Sequence, residues 1–71
     1  MDAVERPLDL LNNLKGKKIF MQGRFGDNKK IELKRGILIA FDIHINIVIE
    51  IEGQLSFFRG NEIVCISEDK R

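Results

Sequence analysis

The sequence predicts a mainly β fold: a short N-terminal helix followed by a strongly bent, five-stranded antiparallel sheet that forms a small open barrel. Apolar and polar residues alternate with the two-residue period of a strand over residues 45–52. Glycines and turn-forming residues divide the rest of the chain after residue 16 into short apolar runs. With 71 residues, we expect one domain spanning 1–71.

The helix is expected over residues 6–15, ahead of a barrel over 17–67. Pro7 suits the first helical position, Asp9 lies in the first turn, and Gly16 follows the end. The apolar residues Leu8, Leu11 and Leu14 share one helical face. Two isolated turns are unstable in water, so this face must dock on the sheet.

Five strands are expected after the helix, over residues 19–23, 31–42, 45–51, 54–59 and 62–67. The second is long and rich in β-branched residues, and Gly36 predicts a bend within it. Glu52-Gly53 predicts a two-residue hairpin between strands three and four. Strands four and five are apolar and lack the proline or inward lysine that protects a sheet edge. We therefore expect these two edges to pair between subunits.

Composition excludes several classes of protein. The single cysteine, Cys65, cannot form an internal disulfide, and the single histidine, His44, leaves too few ligands for zinc. A core this small needs another source of stability, which leaves oligomerisation. The net charge of +1 argues against nucleic-acid binding by bulk electrostatics, so any RNA would need a local site. We expect no membrane span, no signal peptide, no cofactor and, from the free thiol, a cytoplasmic location.

Two polar clusters interrupt the apolar strands. In the segment 42–46, strand periodicity would project Asp42, His44 and Asn46 to one side. The second cluster is Arg59-Gly60-Asn61, between strands four and five. Imidazole and guanidinium groups stack on bases, and a carboxamide offers a donor and an acceptor to a base edge. These are the components of a pocket for single-stranded RNA.

Each cluster also has a purely structural interpretation. From spacing alone, His44 is an ordinary surface residue, Asp42 closes an Asx-turn, and Arg59-Gly60-Asn61 is a tight turn. An enzyme is not expected, because no serine or thiol is placed as a nucleophile beside His44.

The two clusters, in this order, resemble the motifs of the Sm and Sm-like (LSm) proteins. Gly36 with the segment 42–46 resembles the first Sm motif, and the segment 57–64 resembles the second. The opening segment 6–11 is similar to that of archaeal and eukaryotic members. The resemblance runs from about Arg6 to Ser67 and favours an archaeal-type member.

The resemblance implies a ring of six or seven copies, in which strand four of one subunit pairs with strand five of the next. It also implies a uridine-binding pocket at the inner rim. By position, His44 and Arg59 would stack on uracil and Asn46 would bond its edge. Asp42 and Asn61 would hold Asn46 and the loop, and Gly60 would let the backbone approach the base.

Two of the departures from the family pattern concern the candidate sites. Asn61 stands where Asp is frequent, and Phe41 stands where the family often has a hydroxylated aromatic. In archaeal relatives that aromatic and an N-terminal arginine can form a second nucleotide site, for which Arg6 and Phe41 are the candidates here. The function implied is binding of single-stranded U-rich RNA in RNA processing or stability. The alternative is a structural ring that docks protein partners on its faces.

Overall fold

The computed structural model describes residues 7–26 and 30–70, which form one helix and one open sheet. The helix α1 is Pro7–Leu14. The strands are β1 (Lys18–Arg24), β2 (Ile31–Phe41), β3 (Ile47–Ile51), β4 (Gln54–Phe58) and β5 (Ile63–Glu68), with a 3₁₀ turn at Gly60–Glu62. All pairings are antiparallel, in the order β4-β3-β2-β1-β5. The predicted helix and five strands are confirmed, and β4 and β5 are the two edges.

The bend of the sheet lies within β2. Its first part, residues 31–37, pairs with β1, and its last part, residues 37–41, pairs with β3. The exchange of partner occurs at Ile37, next to Gly36, where the sequence predicted the bend. Each part of the sheet therefore faces the other across a small core.

The helix closes one side of this core. Leu11 and Leu14 are buried against five sheet residues: Ile19, Met21, Leu38, Ile47 and Ile49. Two backbone hydrogen bonds fix the chain after the helix, from Gly16 N to Leu38 O at 2.8 Å and from Leu38 N to Lys17 O at 3.1 Å. Leu8, predicted on the docking face, remains exposed.

The hairpin between β3 and β4 has two residues, as predicted. Ile51 pairs with Gln54, and both residues between them have positive φ, 51° at Glu52 and 81° at Gly53. This combination matches a type I′ turn, whose twist suits a hairpin.

One strand prediction was wrong: β3 begins at Ile47, and residues 42–46 form a turn. Asp42 N donates to Asn46 O at 3.1 Å, and Ile45 N donates to Asp42 O at 3.0 Å. Ile45 has φ of 63°, so it cannot continue a strand. Asp42, His44 and Asn46 consequently do not project from one strand face.

Candidate functional site

The carboxylate of Asp42 organises the turn at residues 42–46. Its Oδ1 accepts hydrogen bonds from the backbone N–H of His44 at 2.8 Å and of Asn46 at 3.1 Å. This is the Asx-turn that the sequence allowed as a structural role for Asp42. The turn presents the side chains of Ile43 and His44 to solvent.

The side-chain amide of Asn46 is held at both ends. Its Nδ2 donates to Asp42 Oδ2 at 3.1 Å, and its Oδ1 accepts from the backbone N–H of Gly60 at 2.9 Å. A flipped amide would place its nitrogen donor against the N–H of Gly60 and its oxygen acceptor against an oxygen of Asp42. Only one orientation is therefore compatible with its neighbours. One N–H hydrogen and one oxygen lone pair of the amide remain for a ligand.

These contacts also set the charge state of Asp42. The hydrogen bond from the Asn46 side chain, followed by the two backbone hydrogen bonds, lowers the pKa of Asp42 below its ordinary value of 3.8. Each of these donors favours the ionised form. Asp42 is therefore a carboxylate, able only to accept hydrogen bonds, throughout the neutral range.

The segment at Arg59-Gly60 reaches the turn because Gly60 has no side chain. A Cβ at Gly60 would overlap the His44 carbonyl oxygen and lie 3.0 Å from the carbonyl carbon of Ile45. Any larger residue would push the two segments apart and stretch the hydrogen bond from Gly60 to Asn46. Gly60 thus joins the two predicted clusters, which are 14 residues apart at this bond.

The structure brings most of the predicted site residues to one place. His44, Arg59 and Asn61 are exposed beside the Asp42–Asn46–Gly60 hydrogen bonds. The support expected for Asn46 from the Asn61 side chain comes instead from the Gly60 backbone. Of the second predicted pair, Arg6 lies outside the described residues, and Phe41 is half-buried against the core at the end of β2.

Sequence reasoning missed an apolar cavity of about 520 Å³ next to these residues. Its polar side consists of His44, Gly60 and Asn61. Its apolar side is formed by Leu10, Leu11, Ile45, Ile63, Val64, Cys65 and Ile66. In the sequence, the only signal for this cavity is the apolar run of β5, which by itself predicts no more than pairing at the sheet edge.

The apolar neighbours of Cys65 predict a buried thiol in the assembled ring. In the single chain Cys65 is exposed, and its Sγ donates to Gln22 Oε1 at 3.3 Å, so burial in the ring stays a prediction. The reason for the exposure is topological: β5 is an edge strand, and no other described strand pairs with its outer edge. Among the described residues, no group of three or more His, Cys, Asp or Glu side chains is arranged to hold a metal ion.

No protein-family model and no curated protein matches the sequence. Solved structures do match the fold. An Sm protein of Pyrococcus abyssii, in complex with a uridine heptamer, superposes with a TM-score of 0.72 at 28% identity over 92% of this chain and 100% of that chain. A heptameric archaeal Sm protein superposes with a TM-score of 0.61, also at 28% identity, over 83% of this chain and 94% of that one.

The chain has an archaeal-type Sm-like fold. The Sm-like fold accounts for the short helix, the bend within β2 and the sheet that does not close. In the described part of the chain, no helix has the length and apolar character needed to cross a membrane.

Proposed function

We propose that this chain is an RNA-binding subunit of a homo-oligomeric Sm-like ring that recognises single-stranded, uridine-rich RNA. The observation that carries the proposal is the Asn46 amide, held in one orientation with one donor and one acceptor free. Uracil presents a carbonyl oxygen next to an N–H, which such an amide can pair with in one orientation. The uridine heptamer bound by the archaeal relative supports this choice of ligand.

Two exposed planar groups, the imidazole of His44 and the guanidinium of Arg59, complete the proposed pocket. His44 lies in the turn that Asp42 organises, Arg59 directly precedes Gly60, and both side chains are exposed. Stacking of a base on such groups contributes about 1–3 kcal/mol per base. We assign Asn46 the reading of the uracil edge, His44 and Arg59 the stacking, Asp42 and Gly60 the support of Asn46, and Asn61 a place in the pocket wall. We keep Arg6 and Phe41 as a second nucleotide site.

The ring follows from the two open edges of the sheet. β4 exposes Leu55 and Phe57, and β5 exposes Val64, so both edges have apolar side chains and unpaired backbone groups. Pairing β4 of one copy with β5 of the next would cover both edges. We propose six or seven copies, and the heptameric archaeal relative supports seven.

The proposed activity is binding without catalysis, in RNA processing or stability, and the proposed location is the cytoplasm. Cys65, the one thiol, donates to Gln22, and Ser56 and Ser67 lie on the edge strands outside the predicted site. A single cysteine with no disulfide partner in the chain is typical of a reducing compartment.

The test measures fluorescence anisotropy of labelled oligo-uridine, oligo-cytidine and oligo-adenosine with purified protein. We expect tighter binding of oligo-uridine than of the other two. Sedimentation at micromolar concentration should give six or seven times the 8.2 kDa of one chain. A ring that binds none of the three oligomers would favour the alternative, a structural scaffold that docks proteins.

A further inference from the structure

Phe25, which follows β1, packs against Phe58, the last residue of β4. Their ring centroids are 4.9 Å apart at an interplanar angle of 59°, a tilted arrangement in which aromatic rings attract each other. Both side chains are half-buried and pack against the core. Because Phe58 directly precedes Arg59, this ring pair anchors the chain where the segment 59–61 begins.

The other end of this segment also lies against the end of β1, at Gly23. A Cβ at Gly23 would overlap both the carbonyl oxygen of Glu62 and the ring of Phe25. Between the two contacts the chain makes a 3₁₀ turn, in which Glu62 N donates to Arg59 O at 3.1 Å. The segment is therefore a short hydrogen-bonded unit that is held against β1 before and after the turn.

The middle of this unit contacts the turn at residues 42–46. Gly60 N donates to Asn46 Oδ1 at 2.9 Å, and this donor is one of the two groups that fix the orientation of the Asn46 amide. A hydrogen bond weakens steeply as its geometry departs from linear. A shift of the segment would therefore release one end of the amide.

We propose that Phe25 is a positioning residue for base recognition: through Phe58 it holds the segment 59–61 in the place where Gly60 fixes the Asn46 amide. The inference rests on the proposed function and extends it to a residue outside the pocket. Without the ring of Phe25, the segment would move more freely and the amide could rotate. A rotating amide serves uracil and cytosine alike, so the loss would appear in base preference.

The first measurement needs no RNA. Phe25→Leu keeps an apolar contact with Phe58 but removes the ring. We expect hydrogen exchange at the Gly60 amide, followed by NMR, to become faster by about two- to tenfold, the factor that corresponds to loss of one aromatic pair. The Leu38 amide, which donates to Lys17 O beside the core, is the internal reference and should keep its wild-type rate.

The second measurement is the ratio of affinities for oligo-uridine and oligo-cytidine, by anisotropy at one protein concentration. Phe25→Leu should lower this ratio by about twofold or more. Phe20→Leu is the matched control, because Phe20 lies between the buried Ile19 and Met21 and so faces the opposite side of β1. It makes the same chemical change and should leave both the ratio and the Gly60 exchange rate at wild-type values.

A double variant tests the route through Phe58. Phe58→Leu alone should raise the Gly60 exchange rate, because it removes the other ring of the pair. If Phe25 acts through Phe58, adding Phe25→Leu to Phe58→Leu should change the rate little further, since the interaction between the rings is already lost.

The outcomes separate this inference from the proposed function. If wild type prefers oligo-uridine and Phe25→Leu keeps the full preference, the positioning role is overturned and the proposed function stands. An unchanged Gly60 exchange rate in Phe25→Leu also overturns it, and additive effects in the double variant overturn the route through Phe58. If wild type binds no oligo-uridine, the proposed function itself fails, whatever the exchange rates are.

Discussion

Asp42 Oδ2 accepts a hydrogen bond from Asn46 Nδ2 at 3.1 Å, while Asp42 Oδ1 accepts from the Asn46 backbone N–H at the same distance. One carboxylate therefore holds both the backbone and the side chain of the residue proposed to recognise the base. If Asn46 contacts the base as proposed, this relationship would make it selective, because an amide free to rotate could serve uracil and cytosine equally.

Asp42→Asn tests this relationship with almost no change in shape. Its Oδ1 can still accept the two backbone hydrogen bonds, but its amide nitrogen would face Asn46 Nδ2, donor against donor. We expect the preference for oligo-uridine over oligo-cytidine to fall while the fold is retained. Anisotropy titrations with both oligomers measure the ratio of affinities. Glu52→Gln, in the exposed hairpin, controls for loss of one negative charge; an unchanged ratio in Asp42→Asn would contradict the proposed role.

The lowered pKa of Asp42 makes its contribution to folding stability depend on pH. A carboxyl whose pKa is lower in the folded state adds stability above its unfolded value, and this stability is lost as the pH falls through the folded value. The contribution of Asp42 should therefore be constant from pH 7 to pH 5 and disappear only below the ordinary value of 3.8. Circular dichroism over an acid titration measures this step. It should be absent in Asp42→Asn.

Asn46→Ala removes the proposed base-reading group. A site that buries an unpaired polar group of the base loses about 1–3 kcal/mol. We expect weaker binding of oligo-uridine together with a smaller preference over oligo-cytidine, in the same anisotropy assay. Asn12→Ala, on the exposed side of α1, is the matched control. Binding as tight and selective as wild type would exclude Asn46 from the pocket and move the scaffold alternative ahead.

Arg59→Ala should behave differently, because a stacking cation serves every base. Affinity should fall for all oligomers, the preference for uridine should survive, and the dependence of affinity on salt should become smaller. A titration series at several salt concentrations separates these effects. Arg24→Ala, at the exposed end of β1, removes the same charge elsewhere. Equal effects of the two substitutions would reduce the role of Arg59 to net charge.

Ile45→Leu tests strain in the turn. A β-branched residue at φ of 63° is unusual, and a residue in such a conformation costs on the order of 1–3 kcal/mol. Leucine keeps the apolar packing but removes the branch at Cβ, so part of this cost should be recovered as a higher unfolding midpoint in urea. Val48→Leu, a β-branched residue on β3, is the control and should not stabilise. Both must be compared at one protein concentration, because assembly contributes to stability.

Local physics explains what could be predicted from the sequence. The alternation at residues 47–51 specifies a half-buried strand, and Glu52-Gly53 specifies its hairpin, because each depends on neighbouring residues only. The apolar character of β4 and β5 predicted which strands would be edges. The residue types at positions 42–46 and 59–61 predicted an RNA site, which stays a prediction, and the solved relatives agree with the fold that their resemblance implied.

Long-range contacts decided the rest. Strand periodicity continued into residues 42–46, but the Asp42 carboxylate accepts two backbone donors there and makes a turn. The orientation of Asn46 depends on Gly60, which is distant in sequence and is brought near by the sheet. The apolar neighbours of Cys65 predict burial in a ring, but in the single chain Cys65 is exposed because β5 is an edge of the described sheet. Periodicity reports the faces of a strand, whereas the covering of each face depends on how the whole sheet folds and where it ends.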